Sequence, residues 1–234
     1  MSRAAQAVPA EDINGDGRWL SMHNRFLLET KEKEPEVIFI GDSIIQNLVN
    51  SEMWIKDFIP LHSLNFGIGG DQTQHVLWRI KNGELDHVSP KVVVLHVGTN
   101  NLGFAPEEIV EGIMEIVNVI QEKQPEAYIV VLNLLPRGQH PNPLRERNTQ
   151  VNKLLGQQLH GKPRCEMLIS GQDLVAADGT ISHHDMYDYL HLTQAGYRKV
   201  FDPLHELLQQ LLLTEGEERS FAAGDDDRDL TPSE

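Results

Sequence analysis

The chain has 234 residues, one cysteine, and 35 acidic against 20 basic residues, for a formal net charge of −15. That length allows one domain, or two at most, with a core large enough to stand without covalent staples. The lone Cys165 excludes an intrachain disulfide framework, no run approaches the roughly 18 apolar residues of a membrane span, and the negative charge disfavours nucleic acid, whose phosphates need a basic surface.

Residues Met1 to Glu11 carry no apolar core of signal-peptide type, so the expectation is a soluble cytosolic protein. Residues 1–16 read as a flexible arm. Trp19, Met22, Phe26 and Leu27 then recur at helical spacing and predict a first amphipathic helix. Val37 to Ile40 is a short apolar, β-branched and aromatic run closed by Gly41. It reads as a buried parallel strand, followed by a helix through Ile44, Ile45 and Leu48. Met53, Trp54 and Phe58 mark another short amphipathic piece, and Leu61 to Phe66 a second strand, which runs into Gly67-Ile68-Gly69-Gly70-Asp71.

Thr73 to Asn82 reads as a helix, with Gly83 at its C′ position. Lys91 to Val97 is a third strand and ends in Gly98-Thr99-Asn100-Asn101. Pro106, Glu107 and Glu108 open a helix by N1 preference and dipole. Tyr128 to Leu135 is a fourth strand. Asn142-Pro143 opens a helix through Val151, Leu154, Leu155 and Leu159, Met167 to Ile169 is a weak fifth strand, and Thr193 caps a last helix. From Glu215 onward eight acids stand against two arginines, a net of −6. The segment 214–234 therefore reads as an acidic disordered tail and leaves −9 on the rest. Strands alternating with helices predict an α/β fold, a parallel sheet covered on both faces, over residues 17–213.

Parallel strands present their carboxyl ends on one edge, so Gly41-Asp42-Ser43, Gly69-Gly70-Asp71 and Gly98-Thr99-Asn100-Asn101 can converge on one crevice. A fourth element, Ser182 to His191, precedes the last helix. The residue types suggest acyl transfer. Ser43 is a candidate nucleophile, inert until a base takes its proton. His191 is the candidate base, and Asp188, three residues earlier, can reach it within a tight turn and fix its tautomer. The Ser43 N–H, the Gly70 N–H and the Asn100 amide are candidate donors to one oxyanion. Each has a bland alternative. Ser43 and Asn100 can cap helices, Gly70 can serve a turn, and His191 and Asp188 can be surface residues at a helix start. Their joint placement lifts the enzyme reading.

Other motifs fail. There is no Gly-x-Ser-x-Gly elbow, and Gly67 to Gly70 lacks dinucleotide-fingerprint spacing. His183-His184-Asp185 invites a metal reading, but neighbouring loop residues seldom face one ion and no zinc spacing supports it. No cofactor and no metal are expected.

In order, Gly41-Asp42-Ser43, Gly70, Gly98-x-Asn100 and Asp188-x-x-His191 resemble the four blocks of the SGNH (GDSL-like) hydrolases. Asn65 to Asp71, His75 to Arg79, Leu134 to Gly138 and His184-Asp185-Met186 look like the catalytic α subunits of platelet-activating-factor acetylhydrolase type IB within that family. The likeness runs from about Asp16 to Leu213. It implies a flavodoxin-like three-layer α/β/α sandwich and removal of the sn-2 acetyl group from a platelet-activating-factor-type phospholipid. It further implies a small acyl pocket lined by Ile44, Thr99 and Leu190, no metal, homodimers or heterodimers of α subunits, and a WD-repeat β subunit as partner. The chain departs from that group at His96, where tryptophan is usual, at Leu102, where histidine is frequent, near Ser170, where aspartate is frequent, and over Asn47 to Asn50. Two alternatives stand beside this reading: a mainly dimerising interaction subunit, and an esterase of the same machinery for another short-acyl ester or a thioester.

Overall fold

A computed structural model describes residues 1–225, with side-chain surroundings through Thr214. Five strands form one sheet: β1 (Val37–Gly41), β2 (Ser63–Gly67), β3 (Val92–His96), β4 (Tyr128–Leu132) and β5 (Cys165–Leu168). All pairings are parallel, in the order β2-β1-β3-β4-β5. The order reverses between β1 and β3, which is where ligands bind in open α/β sheets. Gly41 at the end of β1 pairs with Gly67 of β2 and with His96 of β3, so the loops after these strands leave the sheet at one level.

Alternation along the strands builds two cores. Ile38, Ile40, Val93, Leu95, Ile129 and Val131 face one side. There they meet α1 (Arg18–Glu32), α3 (Thr73–Arg79), α4 (Pro106–Lys123) and α5 (Pro143–Leu159) through Phe26, Val76, Ile113 and Val151. Val37, Phe39, Val92, Val94 and Val130 face the other, against α2 (Ser43–Leu48) and α6 (Gln194–Asp225) through Ile45, Leu48, Leu204 and Leu208. Strands buried on both faces are why their sequences read as unbroken apolar runs.

Several boundaries differ from expectation, each for a local reason. Pro60 lies in a single 3₁₀ turn, Ile59–Leu61, and His62 is left-handed, so β2 starts two residues late. β4 ends at Leu132 because the Asn133 side chain turns to the Ser170 backbone, accepting from its N–H at 2.8 Å and donating to its carbonyl at 3.2 Å. α3 stops at Arg79 and gives way to a π turn, Ile80–Glu84, that contains Gly83 at φ 110°. Asn142 Oδ1 accepts from Leu144 and Arg145 N–H, and Thr193 Oγ1 from Gly196 N–H, as caps of α5 and α6.

The N-terminal arm, expected to be flexible, is docked. Ala4 and Ala5 are buried, Thr73 Oγ1 donates to the Ala4 carbonyl at 2.7 Å, and the Val8 N–H donates to the Gln74 carbonyl at 3.2 Å. Gly112 of α4 makes room for this, since a Cβ there would stand 2.6 Å from the Ala4 carbonyl oxygen. α6 runs to Asp225 and so continues into the segment expected as a disordered tail, the remainder of which, 226–234, lies outside the described residues. Among the described residues no helix is long and apolar enough to cross a membrane.

Candidate active site

Ser43 is the first residue of α2, at the carboxyl end of β1. Asp42 caps the helix: its Oδ1 accepts from Ile44 N–H at 3.0 Å and its carbonyl from Gln46 N–H at 2.9 Å. From α6, the Tyr197 hydroxyl donates to the Ile44 carbonyl at 2.8 Å and pins the same turn. The bland reading assigned the cap to Ser43. Asp42 takes that role, which leaves the serine hydroxyl for something else.

That hydroxyl lies 3.0 Å from His191 Nε2 across 148 residues of sequence. On the far side of the ring, His191 Nδ1 lies 2.6 Å from Asp188 Oδ2. The second carboxylate oxygen, Oδ1, accepts from the backbone N–H of Leu190 at 3.1 Å and of His191 at 2.7 Å, which closes the tight turn. The turn is bought with Tyr189 at φ 60°, a left-handed conformation that side chains disfavour. Gly138 N–H holds the Tyr189 carbonyl at 2.8 Å, and the Tyr187 ring stacks on His191. Burial works to raise the Asp188 pKa, but the hydrogen bonds from His191 and Leu190 outweigh it and hold the carboxyl below its ordinary range.

Gly70 follows β2 at φ 86°, and Asn100 follows β3. Asn100 Nδ2 donates one N–H to the Asp71 carbonyl at 3.0 Å and keeps a second. The backbone N–H groups of Ser43 and Gly70 meet no protein acceptor among the described residues. Beside Gly70 opens a cleft of about 410 Å³, lined by Arg18, Trp19, Gly69, Gly70 and His75 among others. Of the residues expected to line an acyl pocket, Ile44 and Thr99 are buried and Leu190 is half-buried. Such an arrangement can transfer a proton from Ser43 to His191 and present N–H donors to a developing oxyanion.

Beneath it lies a polar network that the sequence reading passed over. Asp71 is buried, and its carboxylate accepts from Trp19 Nε1 at 2.6 Å and Arg79 Nε at 2.9 Å. The fully buried Arg79 also donates to Glu84, to the Gly41 carbonyl at 3.3 Å and to the Phe66 carbonyl at 3.0 Å. Glu84 in turn pairs with His23 Nδ1 at 2.8 Å. Burial pushes the Asp71 carboxyl up to about 6, against the pull of the Arg79 charge and the hydrogen bonds. One signal for this network was present: Arg79 falls three residues after Val76 on the core-facing stripe of its helix, where a charge demands partners.

Asn101 was also undervalued. It is buried, accepts from Thr73 N–H at 3.0 Å, and donates to Thr73 Oγ1 and Gln74 Oε1, so it ties the loop after β3 to the start of α3. His183 and His184 are exposed and Asp185 pairs with Lys199 at 2.8 Å. Among the described residues no group of three or more His, Cys, Asp or Glu is placed to hold a metal ion.

The model of the GDSL-like lipase/acylhydrolase family matches residues 39–199. The chain is 57% identical over 209 residues to platelet-activating factor acetylhydrolase IB subunit alpha1 of Homo sapiens, covering 89% of this chain and 90% of that one. It is 54% identical over 218 residues to subunit alpha2 of Gallus gallus, covering 92% and 95%. Among solved structures, a GDSL-like lipase from Bacteroides thetaiotaomicron superposes with a TM-score of 0.65 at 18% identity, over 82% of this chain and 97% of that one, a likeness of fold. The expected α/β architecture and the resemblance read from the four blocks agree with these matches, and the chain belongs to the GDSL-like lipase/acylhydrolase family and is an ester hydrolase.

Proposed function

We propose that the chain is a serine esterase that removes the sn-2 acetyl group of platelet-activating-factor-like phospholipids. The observation that carries this reading is the hydrogen-bonded line Ser43 Oγ, His191 Nε2, His191 Nδ1, Asp188 Oδ2, with steps of 3.0 and 2.6 Å. Ser43 Oγ attacks the acetyl carbonyl as His191 Nε2 takes its proton. Asp188 holds the Nδ1 proton and stabilises the imidazolium. The Ser43 and Gly70 N–H groups and the free N–H of Asn100 receive the oxyanion. His191 then protonates the departing alkoxide, leaving the lysolipid and an acetyl-Ser43 ester. Water enters and attacks the acetyl carbonyl as it gives a proton to His191, the bond to Ser43 Oγ breaks as His191 returns that proton to it, and acetate leaves. Ile44, Thr99 and Leu190 bound the acyl site and favour a two-carbon chain. No step requires a cofactor or a metal.

The reading has a second element: the relatives are named as subunits, alpha1 and alpha2, which supports a place in a multi-subunit assembly, and the family resemblance extends this to the catalytic member of a cytoplasmic dimer, with itself or with a related α subunit, bound to a WD-repeat regulatory subunit. An interaction role without turnover is the rival.

The test is labelling by a fluorophosphonate probe with peptide mapping of the adduct. An adduct on Ser43 that disappears in Ser43→Ala and in His191→Ala supports the esterase. Folded protein with no adduct overturns it and favours the interaction subunit. A panel of acetyl, butyryl and longer esters then tests the acyl site.

A further inference from the structure

Two cations crowd the loop that carries Asn100. Arg137 Nη1 donates to the carbonyl and the hydroxyl of Thr99 at 3.0 and 3.1 Å. Arg147 Nη2 donates to the same Thr99 carbonyl at 3.0 Å, and its Nη1 to the Asn101 carbonyl at 2.9 Å. Both guanidinium groups are half-buried, and neither forms an ion pair with a carboxylate among the described residues. That is unexpected in a chain of net charge −15, where acids outnumber bases by fifteen. Two like charges on one carbonyl repel, and partial burial adds a desolvation cost. The cost is visible in both residues. Burial lowers the pKa of Arg137 against the charges of Asp42 and Asp188, and burial followed by the Arg137 charge lowers that of Arg147.

Arg147 spends its remaining inner donors on Asn148 Oδ1. Arg137 does not. Its Nε and its entire Nη2 find no protein partner among the described residues, which leaves one face of the fork open. The residue it grips, Thr99, immediately precedes Asn100, and Arg137 lies within reach of the charges of Asp42 and Asp188. The open fork therefore stands beside the reacting centre.

From this geometry we infer that Arg137, with Arg147 behind it, is the specificity-determining group that recognises an anionic group of the substrate close to the scissile ester, such as a phosphodiester. A planar guanidinium suits a phosphate oxygen pair, and a second cation close behind raises the local potential without touching the ligand. The inference builds on the esterase reading and adds to it which residue reads the headgroup.

The test compares two acetyl esters, one with a phosphodiester on its alcohol and one neutral, in the wild type, Arg137→Gln and Arg137→Lys. The quantity read is the ratio of kcat/KM for the anionic ester over the neutral one. Arg137→Gln is expected to lower that ratio by about tenfold to a hundredfold, the range of one charge-assisted contact, mainly through KM; Arg137→Lys is expected to restore part of it. A ratio that stays constant while both rates fall would reduce Arg137 to a brace for Thr99 and overturn the inference. Turnover of neither ester by wild type would instead overturn the esterase reading. The anion site is then decided by titrating glycerophosphocholine into Ser43→Ala protein: binding that weakens about tenfold on adding Arg137→Gln sustains it, and binding indifferent to Arg137 ends it.

Discussion

Asn100 and Asp71 meet through a single hydrogen bond, Nδ2 donating to the main-chain carbonyl at 3.0 Å. The bond fixes the plane of the Asn100 amide and leaves its second N–H aimed elsewhere. What holds the Asp71 carbonyl still is the Asp71 carboxylate, clamped by Trp19 and Arg79. The candidate oxyanion donor is thus anchored, through one residue, to a buried arginine that also grips the last carbonyl of β1 and one near the end of β2.

Arg79→Met should therefore cost stability and turnover together. It strands two buried carboxylates, Asp71 and Glu84, and removing one partner from a buried ion pair typically costs about 3–5 kcal/mol. Arg79→Lys should recover little, because an ammonium cannot reproduce a fork that serves two carboxylates and two carbonyls. Urea denaturation and kcat of the folded fraction are the measurements. A loss under about 1 kcal/mol would mean that the network is not structural.

This network marks how far the sequence could be read. The strand and helix order was legible because apolar runs and caps report local physics: Val37 to Ile40 could be little else than a buried strand, and Asn142-Pro143 little else than a helix start. Ser43 at a strand end and Asp188 and His191 in the loop before the last helix stand out as candidates because their residue types fit one chemistry, and the structure brings the three within hydrogen-bond distance. The docking of residues 1–10 was not legible, since two alanines and a glycine carry no hydropathy signal, yet Ala4 packs on Gly112 from 108 residues away. Arg137 and Arg147 were likewise invisible, because pairing across a loop is not periodic in sequence.

Two glycines near the site should fail in different ways. A Cβ on Gly67 would lie 2.2 Å from the Gln46 backbone nitrogen, and neither strand nor helix can retreat. Gly67→Ala is expected to cost about 1–3 kcal/mol or more and to lower the yield of folded protein. At Gly70 a Cβ would meet open space, but φ is 86°. Gly70→Ala should fold, with about 1–2 kcal/mol of backbone strain, and lose rate in kcat as its N–H shifts. Thermal denaturation beside steady-state kinetics separates the two, and equal behaviour would refute the distinction.

Acid stability should depend on His75. Burial, then the Arg79 charge, lowers its pKa from the ordinary 6.5 to about 4, and its Nδ1 accepts the Gln72 N–H only when unprotonated. A base with a lowered folded pKa makes the unfolded chain bind more protons. Its contribution is therefore complete above about pH 6.5 and is lost as the pH falls towards about 4. Asp71 acts oppositely over an overlapping window, since its raised pKa favours the folded state as acid protonates it, so wild type alone would not isolate either. His75→Asn keeps an acceptor and cannot charge. The difference in unfolding midpoint between variant and wild type should widen in the variant's favour from about pH 6.5 to 4, and a pH-independent difference would exclude His75 as the source.

His96 presents the opposite problem, a buried side chain with too few partners. It is 2% exposed at the end of β3, and neither ring nitrogen has a hydrogen bond. Its Nδ1 lies 3.6 Å from Asp42 Oδ1, beyond hydrogen-bond reach, and Asp42 Oδ2 is itself unpartnered. Each unmet buried polar group costs about 1–3 kcal/mol. His96→Phe removes both nitrogens, keeps an aromatic ring, and leaves the Asp42 Oδ1 bond to Ile44 N–H intact. It should raise stability by about 1 kcal/mol or more and leave kcat within a few-fold, because Ser43 keeps its cap. A loss of stability in calorimetry near neutral pH would refute this, and Asp42→Asn would then be the matching half of a double-mutant cycle that measures the His96–Asp42 coupling.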